Sequence, residues 1–118
     1  MKPRLLLVLM LAGCGVLEPE NGARFDPPAY YRTIYQAVEA CTGRSGSYGA
    51  LRFYVVPVEG MDMAGMTYGQ DIYIREDFVG RHLVVKHEMI HALLGTSGHP
   101  YRPFVEPCHA TWGSEPVS

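Results

Sequence analysis

The segment spanning residues 79–94 constrains the fold more than any other part of the chain. Its apolar side chains fall on nearly every side of a helical projection; they are Val79, Leu83, Val84, Val85, Met89, Ile90, Ala92, Leu93 and Leu94. A helix that is apolar around its whole circumference is buried, not laid on a surface. We therefore predict a buried helix that starts at about Asp77 and ends at Gly95, with the other elements packed around it.

The segment before this helix contains a second helical pattern and two strand patterns. Apolar residues recur at helical spacing across residues 30–41, so we predict a helix with Asp26 as its N-cap, the two following prolines in its first turn and Gly43 at its end. The β-branched and aromatic runs at residues 51–58 and 71–75 predict strands.

The order of these elements predicts an α+β domain. The glycine- and methionine-containing residues 60–69 are interpreted as a loop, and the tail beyond the buried helix is rich in proline and irregular. The chain of 118 residues is long enough for one domain, and 47% apolar residues allow a single modest core. The net charge of −2 provides no basic patch, so nucleic acid is not an expected partner.

The N-terminal residues have the pattern of an export signal. A basic start is followed by an apolar run at residues 5–11 and then by small residues, which predicts a signal peptide at residues 1–13. The sequence around Cys14 resembles a bacterial lipobox, which implies cleavage before Cys14 and lipid attachment to it; an ordinary signal peptide with a chance cysteine is the alternative. Residues 14–26 would form the lipidated tether of a protein anchored to a membrane of the bacterial envelope.

Cys41 and Cys108 form an even pair in a chain that is expected to be exported. We predict a disulfide bond between them, since exported thiols are usually oxidised. The alternative is that Cys108 binds a metal ion beside His109.

Three polar residues interrupt the buried helix in the pattern His-Glu-x-x-His. His87 and His91 are four residues apart, so they project from one helical face and can bind a single Zn²⁺. Glu88 is adjacent and can serve as a base toward a zinc-activated water, whose pKa the metal lowers to about 7. Burying these three side chains without partners would cost several kcal/mol, which a metal ion would relieve.

This arrangement resembles the zincin metallopeptidases, whose active-site helix carries His-Glu-x-x-His beneath a small sheet. The resemblance covers roughly residues 27–109, with HEMIH as its specific part, and implies a minimal zincin-like domain at residues 27–118. It further implies that His87 and His91 are zinc ligands and that Glu88 is the general base. The expected substrate is a peptide or protein, held in extended form by an edge strand near residues 71–75.

His99 is the leading candidate for a third ligand. Metzincins extend the motif as His-Glu-x-x-His-x-x-Gly-x-x-His. In HEMIHALLGTSGH the gaps before Gly95 and before His99 each contain three residues, one more than in that pattern. A turn after Gly95 can nevertheless return His99 to the metal. Three rivals stay open. They are Glu106, then His109, and finally the aspartates Asp71 and Asp77.

Two kinds of function follow from these residues. The first is a lipid-anchored zinc metallopeptidase-like hydrolase. The second is a non-catalytic envelope lipoprotein or binding module with a structural zinc site, in which four histidines fill every ligand position. The presence of Glu88 between the two histidines favours the hydrolase, because a structural site has no use for it.

Overall fold

A buried helix packed on a four-stranded sheet forms the centre of the structure, a computed structural model that describes residues 19–111. In chain order the strands and helices are β1 Ala23–Arg24, α1 Tyr30–Thr42, β2 Arg52–Val56, β3 Gly65–Tyr68, β4 Asp71–Arg75, α2 His82–Leu94 and α3 Tyr101–Phe104. The predicted α+β class is confirmed. The signal peptide predicted at residues 1–13 and the lipid attachment predicted at Cys14 lie outside the described residues.

The sheet is mixed and has the strand order β1-β2-β4-β3. β2 and β4 run parallel, while β1 and β3 are antiparallel to their neighbours. Phe53 lies opposite Ile72 in the register, and both are buried with Ile74 on the face that the helices cover. Because β4 lies between β2 and β3, the predicted edge strand near residues 71–75 is wrong: β3 lies at that edge.

The sequence pattern missed β3, and it also missed the short elements β1 and α3. Residues 60–69 were expected to be a loop because glycine and methionine are poor indicators of a strand. In the structure Tyr68 pairs with Asp71, so Gly69 and Gln70 form a two-residue hairpin turn. Gly69 has a positive φ of 58°, which glycine adopts without strain, and this turn chemistry was the local signal for the hairpin.

α2 is buried as predicted, although it begins later. Its fully or nearly fully buried residues are Val84, Val85, His87, Glu88, Met89, Ile90, His91 and Ala92. The chain forms a 3₁₀ turn at Glu76–Phe78 and then passes through Gly80 before the helix starts at His82, not at Asp77. The helix ends at Gly95, which has the expected left-handed conformation with φ of 68°.

α1 begins at Tyr30, so the predicted N-cap at Asp26 is wrong. Asp26 and Pro27 each precede a proline, and steric contact with the following ring keeps such residues out of the helical region. The first helical amides, those of Tyr31 and Arg32, donate instead to the carbonyls of residues 28 and 29. The predicted end at Gly43 is confirmed, with φ of 70°.

Part of the predicted tether takes part in the fold. Residues 23–24 form β1, which pairs with Tyr54 and Val55 of β2, and the amide of Glu20 donates to the carbonyl of Gly60. None of the helices within residues 19–111 combines the length and the apolar character that crossing a membrane requires.

The predicted disulfide joins Cys41 of α1 to Cys108 of the tail, with 5.2 Å between the two Cα atoms. Cys108 is fully buried. The amide of Cys108 donates to the carbonyl of Pro103, and the amide of Ala110 donates to the carbonyl of Phe104. The tail from Pro100 to Ala110 is therefore an ordered segment that is fixed covalently to the first helix.

Removal of the disulfide is expected to destabilise the fold strongly. A bond between residues 67 positions apart restricts the unfolded chain, which on the chain-entropy model stabilises the folded protein by about 4 kcal/mol. Urea unfolding of the wild type should show this difference between oxidised and reduced samples. The double variant Cys41→Ser/Cys108→Ser should match the reduced wild type and should not respond to reductant. Equal midpoints for the oxidised and reduced wild type would contradict the expectation.

Candidate metal centre

Three histidines from the predicted site lie together in the structure. His87 and His91 project from one face of α2, and the turn after Gly95 brings His99 back to them. One ring nitrogen from each histidine lies within 4.8 Å of the other two, and the ring centroids are 4.9 Å apart in all three pairs. This group can hold a metal ion.

The spacing of the ring nitrogens suits a small tetrahedral ion. The Nε2 atoms of His91 and His99 are 3.2 Å apart. Two imidazole ligands bound tetrahedrally to zinc at about 2.0–2.1 Å have nitrogens separated by roughly 3.3 Å. The two residues therefore already have the separation that such an ion requires.

Two main-chain carbonyls orient the helical histidines. The Nδ1 atom of His87 lies 2.7 Å from the carbonyl oxygen of Ala110, and Nδ1 of His91 lies 2.7 Å from that of Thr96. A carbonyl oxygen only accepts, so each Nδ1 carries the hydrogen and donates it. Nε2 is then the ring nitrogen that carries no hydrogen, which is the tautomer found when a second contact fixes a metal-binding imidazole.

The burial of the three rings differs in a way that opens one side of the centre. His87 and His91 are 0% and 4% exposed, whereas His99 is exposed. A cavity of about 280 Å³ lies beside His91, between the β3–β4 turn and the residues that follow α2, including Thr96. A molecule from solvent can therefore approach the centre along the side formed by His99 and this cavity.

Phe104 packs against all three histidine rings. Its ring centroid is 5.0 Å from that of His87, 4.7 Å from that of His91 and 5.2 Å from that of His99. Phe104 is fully buried. This apolar contact restricts the rotation of the three imidazoles. It could not be predicted locally, because the pattern around residue 104 is irregular.

Glu88 lies in the core and is held by the edge strand. Its carboxyl group is fully buried, and the hydroxyl of Thr67 donates to Oε1 over 2.7 Å. The same hydroxyl lies 3.2 Å from the main-chain oxygen of Glu88. Gly65 gives the carboxyl group its space, since a Cβ atom there would lie 2.8 Å from Cγ of Glu88 and 3.0 Å from Oε2.

The rival ligands are placed differently. Within residues 19–111, the group able to hold a metal consists of the three histidines alone and does not include Glu106 or His109, which are exposed. Asp71 forms an ion pair with Arg52. Asp77 pairs with Arg75 at 2.8 Å, and this hydrogen bond lowers the pKa of the Asp77 carboxyl group.

Each of the three histidines is expected to be needed for metal binding. Loss of an outer contact to a ligand typically costs 10–100-fold in affinity, so loss of a ligand should cost more than about 100-fold. We expect His87→Ala, His91→Ala and His99→Ala each to weaken zinc binding by at least that factor in a chelator competition titration. His109→Ala is the matched control and should bind as the wild type does. A His99→Ala variant with unchanged affinity would remove His99 from the ligand set.

Substitution of Gly65 should disturb Glu88. The added Cβ of Gly65→Ala would overlap the buried carboxyl group, and such overpacking typically costs 1–3 kcal/mol. Gly49→Ala is the control, because a Cβ at Gly49 meets no atom within 4 Å. Urea unfolding should show Gly65→Ala less stable than Gly49→Ala by about this amount. Equal stability of the two variants would show that β3 does not confine Glu88.

Comparison with known proteins yields no relative for this chain. No protein-family model, no curated protein and no solved structure matches it. The chemistry of the site therefore has to be inferred from the three histidines, from Glu88 and from the groups that surround them.

Proposed function

We propose that this protein is a zinc metallopeptidase-like hydrolase of the zincin type. The observation that carries the proposal is the convergence of His87, His91 and His99, with one nitrogen of each within 4.8 Å of the others. Glu88 is the residue next to the first of these histidines in the His-Glu-x-x-His pattern. A catalytic zinc site uses three protein ligands and keeps one position open, and three histidines match that set.

The donor set supports zinc as the metal. Neutral imidazole nitrogens suit zinc better than the hard cations that prefer oxygen ligands. The two main-chain carbonyls, those of Thr96 and Ala110, hold His91 and His87 in the required tautomer. When bound, zinc acts as a Lewis acid that polarises a carbonyl group and makes water a stronger nucleophile at neutral pH.

Glu88 has the role of general base in this proposal. Its carboxylate takes a proton from the attacking water and passes it to the leaving amine of the cleaved peptide. Thr67 keeps the carboxylate in place by donating to Oε1.

The edge strand β3 is suited to hold an extended peptide. Among residues 19–111, β3 pairs with β4 and with no strand on its other side, and its residue Thr67 contacts Glu88. An extended chain that adds to this edge would gain main-chain hydrogen bonds and would run past the groups that act on it. This replaces β4 as the proposed docking strand and moves the peptide toward α2.

The place of action proposed is the outside of a bacterial membrane. The signal-peptide pattern and the lipobox-like sequence ending at Cys14 support export and anchoring. The disulfide between Cys41 and Cys108 agrees with an oxidising compartment.

A binding module with a structural zinc site is the second candidate. The complete burial of Glu88 favours it, because a carboxyl group held in the core by Thr67 can serve packing alone. The group of three histidines weighs against it, because structural zinc sites are normally closed by four protein ligands.

Glu88→Gln separates the two candidates. General base catalysis contributes about 10²–10⁴-fold to a rate, so this variant should lose peptide cleavage by that factor while it retains zinc. Cleavage of a peptide library would be followed by mass spectrometry, with zinc content measured on the same samples. Glu59→Gln, which changes an exposed carboxyl group in the turn after β2, should cleave as the wild type does.

Two results would overturn the proposed hydrolase. Wild-type protein that binds zinc and cleaves no peptide in the library would support the structural zinc site instead. Wild-type protein that binds no zinc after reconstitution would remove both candidates.

A further inference from the structure

One cavity among the described residues shares Thr96 with the cavity beside His91. It has a volume of about 660 Å³ and lies between the C-terminal ends of α1 and α2 and the tail. We call it the arginine cleft, because Arg44 from the end of α1 and Arg102 from the tail both line it. Nothing in the chemistry proposed above uses these two arginines.

The arginine cleft is positively charged. None of the residues that line it is acidic, and both arginines are exposed to solvent. Within residues 19–111 neither Arg44 nor Arg102 forms an ion pair with an aspartate or glutamate. Two guanidinium groups from different parts of the chain therefore share one cavity without a counter-charge from residues 19–111, in a protein whose net charge is negative.

The walls of the arginine cleft are rigid. Cys41, which is bonded to Cys108, lies in one wall, and the prolines Pro100, Pro103 and Pro107 lie in the other. A proline ring fixes φ, so these residues restrict the backbone around the cleft. A preformed cavity loses little conformational entropy when a ligand enters it.

Thr96 connects the arginine cleft to the metal centre. Its carbonyl accepts the hydrogen bond from Nδ1 of His91, and Thr96 lines both the arginine cleft and the smaller cavity beside His91. Pro100 of the cleft directly follows His99. The arginine cleft therefore lies next to the cavity that opens beside His91.

We infer that the arginine cleft binds a carboxylate group of the molecule that reaches the metal centre. A guanidinium group offers parallel N–H donors that match the two oxygens of a carboxylate. The identification of that molecule as a peptide rests on the proposed hydrolase function. A peptide carries such a group either at its C-terminus or on an aspartate or glutamate side chain.

Calorimetric binding of three hexapeptides tests the inference on the full-length, zinc-loaded protein that carries Glu88→Gln to prevent turnover. All three are N-acetylated and consist of alanine and serine; one has a free C-terminal carboxylate, one is amidated, and one is amidated and contains a single glutamate. We expect at least one carboxylate peptide to bind about tenfold more tightly than the neutral peptide, which corresponds to about 1.4 kcal/mol. Which one does so identifies the source of the carboxylate.

The double variant Arg44→Gln/Arg102→Gln should abolish this preference. Arg24→Gln/Arg32→Gln removes two exposed arginines that line a different cavity and should preserve it. Equal binding of all three peptides, or no binding of any, would overturn the inference. A preference that survives in the Arg44/Arg102 variant would also overturn it, since the carboxylate would then bind the metal.

Peptide cleavage by protein that retains Glu88, measured beside this binding, separates the inference from the proposed function. A carboxylate preference that depends on Arg44 and Arg102, in a protein whose wild type cleaves no peptide, would leave the arginine cleft as a binding site without the hydrolase. Cleavage that persists unchanged, with no such preference, would leave the hydrolase without an anion site.

Discussion

The rest of the structure depends on how three polar side chains are accommodated in the apolar helix α2. His87 and Glu88 are fully buried and His91 nearly so, which is costly unless each polar atom meets a partner. Among the described residues, partners are supplied by Thr67 of β3, by the Thr96 carbonyl after the helix and by the Ala110 carbonyl of the tail. The helix can be buried only if the sheet edge, the turn and the tail all pack around it.

The parts that the sequence predicts are those defined by local spacing. Three features of α2 can be read within a few turns of one helix. They are the apolar residues around its whole circumference, the four-residue separation of its histidines and the glycine at its end. The return of His99 follows from the same local chemistry, because Gly95 allows the chain to reverse. The pair Cys41 and Cys108 is long-range, but it was predictable because assigning Cys14 to lipid attachment leaves two cysteines, which allow one pairing.

The parts that the sequence did not predict are contacts made by groups without a residue-specific pattern. The carbonyl of Ala110 would be the same oxygen in any residue, so nothing in the side chain at position 110 indicates its contact with His87. Phe104 is one apolar residue in an irregular tail, and only the folded chain shows that it touches three rings. β3 was missed because it contains Gly65, and glycine is uncommon in strands. Gly65 leaves the space that the Glu88 side chain needs, which the sequence pattern does not reveal.

The position of Cys108 links oxidation to the metal centre. In the sequence, Cys108 lies between Phe104, which packs on the histidines, and Ala110, whose carbonyl accepts a hydrogen bond from His87. The amide of Ala110 also donates to the carbonyl of Phe104 over 2.7 Å. The disulfide and a bound metal ion would therefore both stabilise the same folded tail. Because the disulfide restricts the tail before any metal arrives, metal binding has less chain entropy to overcome in the oxidised protein. An exported chain would gain this advantage in the compartment where its thiols are oxidised.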